Sequence, residues 1–337
     1  MSKAPALIRL EAVSKRFVKP LDLAGKIANM MGANNRSITV HAVDRVTFDL
    51  EEGEIVGLVG ESGCGKSTVG RLVAGIHKPS DGRVLWHGED VASLPSETQK
   101  AYTLGVQMIF QDPMASLNPR MRAGDIIGEA PVVHGLVARA DRDDAVAAAL
   151  ARVGLDGSYA RRYPHQFSGG QRARIGIARA LAVNPKVLVC DESVAALDVS
   201  IQAQVLNLFM DLRESLDLTY LFISHDLGVV RHIASRVVIM YLGRIVETAS
   251  TQALFESPAH PYTRALLDNV PRLDARNRRF TPIHGEIPSP INPPAGCHFH
   301  PRCPLAGPRC AAEAPVLAQA AHGGTVACHI GTPEGTG

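Results

Sequence analysis

Residues Gly60-Glu61-Ser62-Gly63-Cys64-Gly65-Lys66-Ser67-Thr68 fit G-x-x-x-x-G-K-[ST], and this stretch limits the possible folds more than any other. The pattern needs a buried strand in front of it and a helix behind it. Both flanks predict that setting. Residues 54–59, with Ile55, Val56, Leu58 and Val59, are an apolar run of strand length, and residues 68–76 read as a helix packed on a sheet. Glycines let backbone N–H groups turn inward around phosphate oxygens, and the helix N-terminus adds a positive dipole end. Lys66 has the reach for β- and γ-phosphates, and the Ser67 hydroxyl suits Mg²⁺. A Gly-rich turn arising by chance has no reason to keep this strand–loop–helix context. The expectation is a nucleotide site built on Gly60, Glu61, Ser62, Gly63, Cys64, Gly65, Lys66, Ser67 and Thr68.

The bulk numbers narrow the class. A chain of 337 residues makes one large or two modest domains, and 46% hydrophobic residues supply a sizeable core. A net charge of +2 creates no strong field for nucleic acid or an anionic membrane, so no nucleic-acid partner is expected. No apolar run approaches the roughly 18 residues of a membrane span. The first residues lack the apolar centre of a signal peptide, which points to a cytoplasmic location with room for docking on membrane partners.

Along the chain, strands alternate with helices. Residues 7–13 read as a strand, residues 19–37 as an inserted loop or short helix, and residues 39–50 as a half-exposed strand with Val40, Ala42, Val46, Phe48 and Leu50 alternating. Residues 83–87 and 106–110 are further strands. Residues 123–154 are mostly helical, with Pro131 kinking or ending one helix and Asp141 capping the next. A helix follows residues 163–171 and runs to about Val183. Residues 186–190 are an almost wholly apolar strand ending in Asp191-Glu192; Asp198 caps a long amphipathic helix; residues 219–223 are a buried strand ending at Ser224-His225-Asp226. Two short strands flank Gly243. This order predicts a largely parallel α/β sheet. A Pro-rich stretch at 287–294 marks a boundary, and no internal repeat or low-complexity segment is present.

A phosphate loop alone names no reaction. Asp191 ends a buried strand, where a carboxylate can hold the hydration shell of Mg²⁺, and Glu192 beside it can orient or deprotonate an attacking water. Ser168-Gly169-Gly170-Gln171 at a helix start is a second anion-binding shape, with free N–H groups and small residues. One γ-phosphate does not need two such sites from one chain, so the second serves a nucleotide held by another subunit.

The phosphate loop, Gln111, Phe167-Ser168-Gly169-Gly170-Gln171, Asp191-Glu192, Ala196-Leu197-Asp198 and His225 follow the order and spacing of ABC-transporter ATPase subunits, the signature being similar to the family's L-S-G-G-Q. More narrowly, the chain resembles the ATPase subunits of dipeptide/oligopeptide importers. Phe110-Gln111-Asp112-Pro113, Ser116-Leu117-Asn118-Pro119, Tyr163-Pro164-His165, Asp198-Val199-Ser200, His260-Pro261-Tyr262-Thr263 and Pro288-Ser289-Pro290 carry that resemblance, which spans nearly the whole chain.

The resemblance implies an α/β P-loop NTPase fold of the ABC ATPase type, with an antiparallel β part, a helical signature subdomain at roughly 112–180 and a small Cys-rich C-terminal extension. The ATPase domain would cover 1–255 and the extension 256–337. It also implies ATP and Mg²⁺ as cofactors, Mg²⁺ being held by Ser67, Gln111 and Asp191. Phe17 would stack on adenine, and Gln111 would sense the γ-phosphate. Glu192 would be the catalytic base, with His225 and Lys66 at the γ-phosphate. Ser168, Gly169, Gly170 and Gln171 would meet the partner's ATP, and Asp198 would lie at the ATPase–ATPase interface. The implied partners are a second, related ATPase forming a heterodimer, two transmembrane permease subunits and, indirectly, an extracytoplasmic solute-binding protein, on the cytoplasmic face of the cell membrane. The implied activity is ATP hydrolysis powering di- or oligopeptide uptake. A nickel or glutathione importer would use the same motor. A soluble ABC ATPase would fuse two such domains or insert a long coiled coil, and this chain has neither. The chain departs from the family at Ser193, where proline is usual after the glutamate; slower or leakier hydrolysis is the expected consequence.

Six cysteines are present, and Cys297, Cys303, Cys310 and Cys328 crowd into the tail with spacing C-x5-C-x6-C-x17-C. Structural disulfides are rare in the cytosol, and the tail shows little apolar periodicity, which suggests a cross-linking ligand. Zinc, helped by His298, His300 or His329, a [4Fe–4S] cluster and free thiols all remain open. Some peptide-importer ATPases carry such a cluster on a similar motif, so the resemblance implies the cluster.

Overall fold

The computed structural model describes residues 6–20, 29, 31, 37–112, 115–195, 197–269, 285–321 and 323–330. Most of the expected insertion at 19–37, together with Pro113 and Ala196, lies outside the described residues.

The chain opens with β1 (Ile8–Lys19) and β2 (Ile38–Leu50), then β3 (Ile55–Val59), α1 (Lys66–Val73), β4 (Asp81–Trp86) and β5 (Glu89–Asp90). Next come α2 (Ser96–Gly105), β6 (Val106–Ile109), α3 (Ala123–Val133), α4 (Arg142–Arg152) and α5 (Gly169–Leu181). Then follow β7 (Val187–Asp191), α6 (Val199–Leu216), β8 (Thr219–Ser224), α7 (Leu227–Ile233), β9 (Arg236–Tyr241), β10 (Arg244–Ser250) and α8 (Thr251–Glu256). The tail contributes α9 (Pro261–Asp268), α10 (Pro308–Ala312), β11 (Ala318–Gln319) and β12 (Thr325–Val326).

Two sheets form. One is antiparallel, in the order β2-β1-β4-β5; the other has the order β11-β12-β10-β9-β3-β8-β7-β6. In the second, β9, β3, β8, β7 and β6 are mutually parallel, as the alternation of strands and helices predicts. These strands are apolar at nearly every position because both faces are covered. Side chains alternate between the faces. Val56, Leu58, Val187, Val189, Leu221 and Ile223 pack under α1 and the antiparallel sheet. Ile55, Leu188, Cys190, Tyr220 and Phe222 pack against the helices of the opposite face. Arg236 ties the two sheets together, donating to Glu54 at 2.8 Å and to the Asp49 carbonyl at 2.7 Å.

The helical expectation for 123–154 resolves into α3 and α4. Pro131 lies inside α3, which ends two residues later, and α3 also packs on α5. Asp141 and Asp198 stand at the N-cap positions of α4 and α6 without a side-chain capping bond. The tail joins the main sheet: β12 pairs with β10, and the Ala327 N–H donates to the Val246 carbonyl at 2.8 Å. Two-residue strands have no periodicity to read, which is why the sequence suggests only a loop-rich tail held by a ligand.

His260, the N-cap of α9, is buried, and its Nδ1 accepts the Tyr262 N–H at 3.0 Å. Burial pushes its pKa down from 6.5 to about 3. Between those values the unfolded chain binds the proton and the folded one does not. Stability therefore falls as pH drops from 6.5 towards 3, by up to about 1.4 kcal/mol per pH unit. His260→Asn keeps a capping acceptor and removes the titration. Urea midpoints measured across this range are expected to fall less steeply for the variant, and equal slopes would assign the pH dependence elsewhere.

Candidate nucleotide site

The C-terminal ends of parallel strands deliver the functional side chains to one edge of the sheet. β3 runs into the loop 60–65 and then α1, as the motif demands. Gly65 has φ 107, and a Cβ there would strike the Ala42 carbonyl; a Cβ on Gly60 would strike the Met240 carbonyl. Both positions need glycine because other backbone passes against them. In the described structure Lys66 Nζ donates to the Gly60 carbonyl at 2.7 Å and to the Glu61 carbonyl at 3.0 Å.

β7 ends at Asp191, directly followed by Glu192. Ser67 Oγ donates to Asp191 Oδ1 at 2.8 Å. Burial raises the Asp191 pKa, with the Ser67 bond opposing it. A hydroxyl and a carboxylate this close make an oxygen donor pair that fits Mg²⁺, whose charge would offset the cost of burying the acid. Glu192 is the hub of the remaining groups. Gln111 Nε2 donates to its Oε2 at 2.8 Å, while His225 Nδ1 lies 3.4 Å and Lys66 Nζ 4.0 Å from its Oε1. Its backbone has φ 46, a left-handed value costly for a glutamate and of the kind found at functional sites. An ionised carboxylate held between an amide, an imidazole and an ammonium can take a proton from a water placed against it.

Lys66, Ser67, Gln111 and Glu192 line an open cleft of about 270 Å³ with Val40, Ala42, part of the loop, Thr68 and Pro290; Asp191 and His225 are not among its lining residues. The cleft brings together Ser62, Gly63, Gly65, Lys66, Ser67, Thr68, Gln111 and Glu192 of the expected site. Phe17 is not among its lining residues. It is 39% exposed and packs edge-on against His77 at 5.4 Å, although its cross-strand partner Val40 does line the cleft. The Cys64 side chain is buried in the loop, and burial raises its thiol pKa.

A family profile described as ABC transporter matches residues 43–195, and one described as Oligopeptide/dipeptide transporter, C-terminal region, matches residues 246–310. The chain is 52% identical over 295 residues to the Oligopeptide transport ATP-binding protein AppF of Bacillus subtilis, covering 86% of this chain and 90% of that one. It is likewise 52% identical to the Oligopeptide transport ATP-binding protein OppF of Salmonella typhimurium, over 83% of this chain and 85% of that one. The chain belongs to the oligopeptide/dipeptide branch of the ABC transporter ATP-binding proteins. Among solved structures it resembles the dimeric ATP-binding cassette MJ0796 in a post-hydrolysis state bound to ADP and Pi. The TM-score there is 0.60 at 25% identity, covering 72% of this chain and 98% of that one.

In this ABC ATPase the Ser168–Gln171 segment is not among the lining residues of the cleft. Ser168 caps α5, accepting the Gln171 N–H at 3.3 Å while Gln171 Oε1 accepts the Ser168 N–H at 3.0 Å. Ser193 is the second residue of a turn closed by Ala195 N–H to the Glu192 carbonyl at 3.0 Å, a position that suits the φ of proline. Among the described residues its buried hydroxyl meets no well-aligned hydrogen-bond partner, and its closeness to the Cys190 thiol opposes the rise in that thiol's pKa caused by burial. Pro290, Tyr262 and Arg302 are further residues at the loop. The first two belong to motifs of the resemblance that carried no role, and nothing in the spacing marks Arg302.

Lys66→Ala is expected to abolish tight MgATP binding. Glu192→Gln should retain MgATP and lose roughly 10²-fold or more in turnover, the scale of a positioned base. Ser193→Pro should quicken hydrolysis. Equilibrium MgATP binding and steady-state ATPase rates check all of these, and near-normal turnover of Glu192→Gln would remove it from the base role.

Proposed function

We propose that this chain is the ATP-hydrolysing motor subunit that powers uptake of di- or oligopeptides through a membrane ABC importer. The observation that carries the reading is the meeting of Lys66, Gln111 and His225 on Glu192 beside the Ser67–Asp191 pair, in a chain half identical to oligopeptide transport ATP-binding proteins. Lys66 and the loop amides bind the phosphates, Ser67, Gln111 and Asp191 hold Mg²⁺, and Glu192 takes the proton of the attacking water. Phe17, part-exposed near the end of β1 with its ring edge on His77, stacks on the adenine in this reading. Bound Mg²⁺ supplies charge neutralisation at the phosphates.

Residues 1–255 form the ATPase unit, with the signature-bearing helices roughly within 112–180, and residues 256–337 form the extension. The signature Ser168–Gln171 faces a nucleotide held by a related second ATPase, with Asp198 at that interface. No helix among the described residues is long and apolar enough to cross a membrane, and in this reading the transport path belongs to separate permease subunits. This subunit docks on two of them from the cytoplasmic face, and the solute-binding protein acts on it through them.

The tail holds a [4Fe–4S] cluster on Cys297, Cys303, Cys310 and Cys328. All four are free thiols, and the Cys297 N–H donates to the Cys310 carbonyl at 2.8 Å. Burial, with Cys328, Cys310 and Cys303 adding to it, pushes the Cys297 pKa up to about 11, so the thiols lie within electrostatic reach of one another. Among the described residues no three His, Cys, Asp or Glu side chains are grouped to hold a metal ion, so the cluster rests on the four-cysteine spacing and the resemblance.

The test is the complex purified anaerobically from its membranes. ATPase stimulated by peptide-loaded binding protein is expected, together with about four irons and matching sulfide per chain. Stimulation by nickel or glutathione instead would change the solute. Recovery without permeases would overturn the transport reading, and one zinc per chain would overturn the cluster.

A further inference from the structure

The phosphate loop is held from outside by the C-terminal extension, and the contacts concentrate on one residue. Glu61, the first residue after Gly60, is fixed at three points. Its N–H donates to the Tyr262 hydroxyl at 2.9 Å. Its carbonyl accepts from Lys66 Nζ at 3.0 Å. Its carboxylate receives both arms of Arg302, Nη1 to Oε2 at 2.7 Å and Nη2 to Oε1 at 3.0 Å. Two of these three partners belong to the extension.

Arg302 is itself rigidly placed. Its side chain is only 4% exposed, its N–H donates to the Phe299 carbonyl at 2.9 Å, and Nη1 also reaches the Tyr241 hydroxyl at 3.3 Å. Phe299 anchors this segment in an aromatic cluster, with ring centroids 5.2 Å from Tyr241 and 5.3 Å from Tyr262. In the sequence Arg302 lies between Cys297 and Cys303.

We propose that Arg302 is a positioning residue for ATP binding, holding Glu61 so that the loop presents Lys66 to the phosphates and carries no uncompensated negative charge beside them. The proposal rests on the nucleotide-site reading above. Its logic has two parts. A bidentate arginine–carboxylate pair fixes orientation as well as charge, and lysine cannot reproduce the fork. The carbonyl that docks Lys66 belongs to the residue the fork restrains, so losing the fork frees the peptide on which the ammonium rests. Glu61 would also be left as a bare carboxylate on a loop that must accept polyanionic nucleotide.

The experiment uses the intact transporter complex and measures the ATPase KM and kcat together with equilibrium MgATP binding. Arg302→Ala is expected to raise KM and Kd for MgATP about ten-fold, the scale of a lost charge-assisted bond, with kcat at saturating ATP within about two-fold. Arg302→Lys is expected to fall between the two, restoring the charge and not the fork. A KM within about two-fold of wild type for Arg302→Ala, or a loss confined to kcat, would overturn the proposal. Should Arg302→Ala fail to assemble, Glu61→Gln with Arg302→Met buries no lone charge and is read by the same two criteria. A wild-type complex that does not turn over ATP would sink the nucleotide-site reading. A wild-type complex that does, with variants indistinguishable from it, would sink this proposal alone.

Discussion

A glutamate with a left-handed backbone at φ 46, next to a buried aspartate, is an unfavourable arrangement unless the surroundings hold it. Here the parallel sheet does so. β7 delivers Asp191 and Glu192, β3 delivers the loop that carries Lys66 and Ser67, β6 leads to Gln111, and β8 leads to His225. Because these strands are parallel and adjacent, their C-terminal ends fall on one edge, and each acid finds partners there. Asp191 takes the Ser67 hydroxyl, and Glu192 takes the Gln111 amide with an imidazole and an ammonium nearby. Burial raises the Asp191 pKa, and the Ser67 hydroxyl opposes that rise by bonding the charged form.

The same edge is closed from the other side by the tail. Pro290 lines the nucleotide cleft, and its carbonyl accepts the His41 N–H at 2.9 Å. His298 Nδ1 lies 2.9 Å from the Leu242 carbonyl, and the adjacent Gly243 N–H donates to the Cys64 carbonyl of the loop at 2.9 Å. The extension therefore touches the nucleotide loop by several routes, and β12 makes it part of the main sheet. A small segment with few apolar residues gains its order by pairing and docking on an existing core rather than by building a new one.

How much of this was legible in the sequence follows from what kind of signal each part leaves. Gly60 through Thr68 is fully legible because a phosphate loop needs particular residues at fixed offsets, and the buried strands are legible as unbroken apolar runs. Asp191 and Glu192 are readable as acids at a strand end. The convergence of Gln111 and His225 on Glu192 is not, because they arrive from different strands and only the sheet order brings them together. The role of Phe17 rests on resemblance alone: its ring meets His77, while the described cleft wall comes from Val40, Ala42 and Pro290. Arg302 left no signal, since a lone arginine in a Cys-rich stretch reads as a solvated charge, and burial is visible only once Glu61 is opposite it.

The geometry also bears on why one chain is half a machine. The cleft gathers Lys66, Ser67, Gln111 and Glu192, yet Ser168–Gln171, the second anion-binding shape, is absent from its lining and is instead closed on itself as the capping box of α5. Capping consumes the Gln171 and Ser168 N–H groups, and leaves the N–H groups of Gly169 and Gly170 at the helix start, where a developing negative charge is favoured. A group of that kind helps only when a phosphate is brought to it. Under the proposed motor function that phosphate comes on a second ATPase subunit, and the energy of closing over it is what would move the permeases.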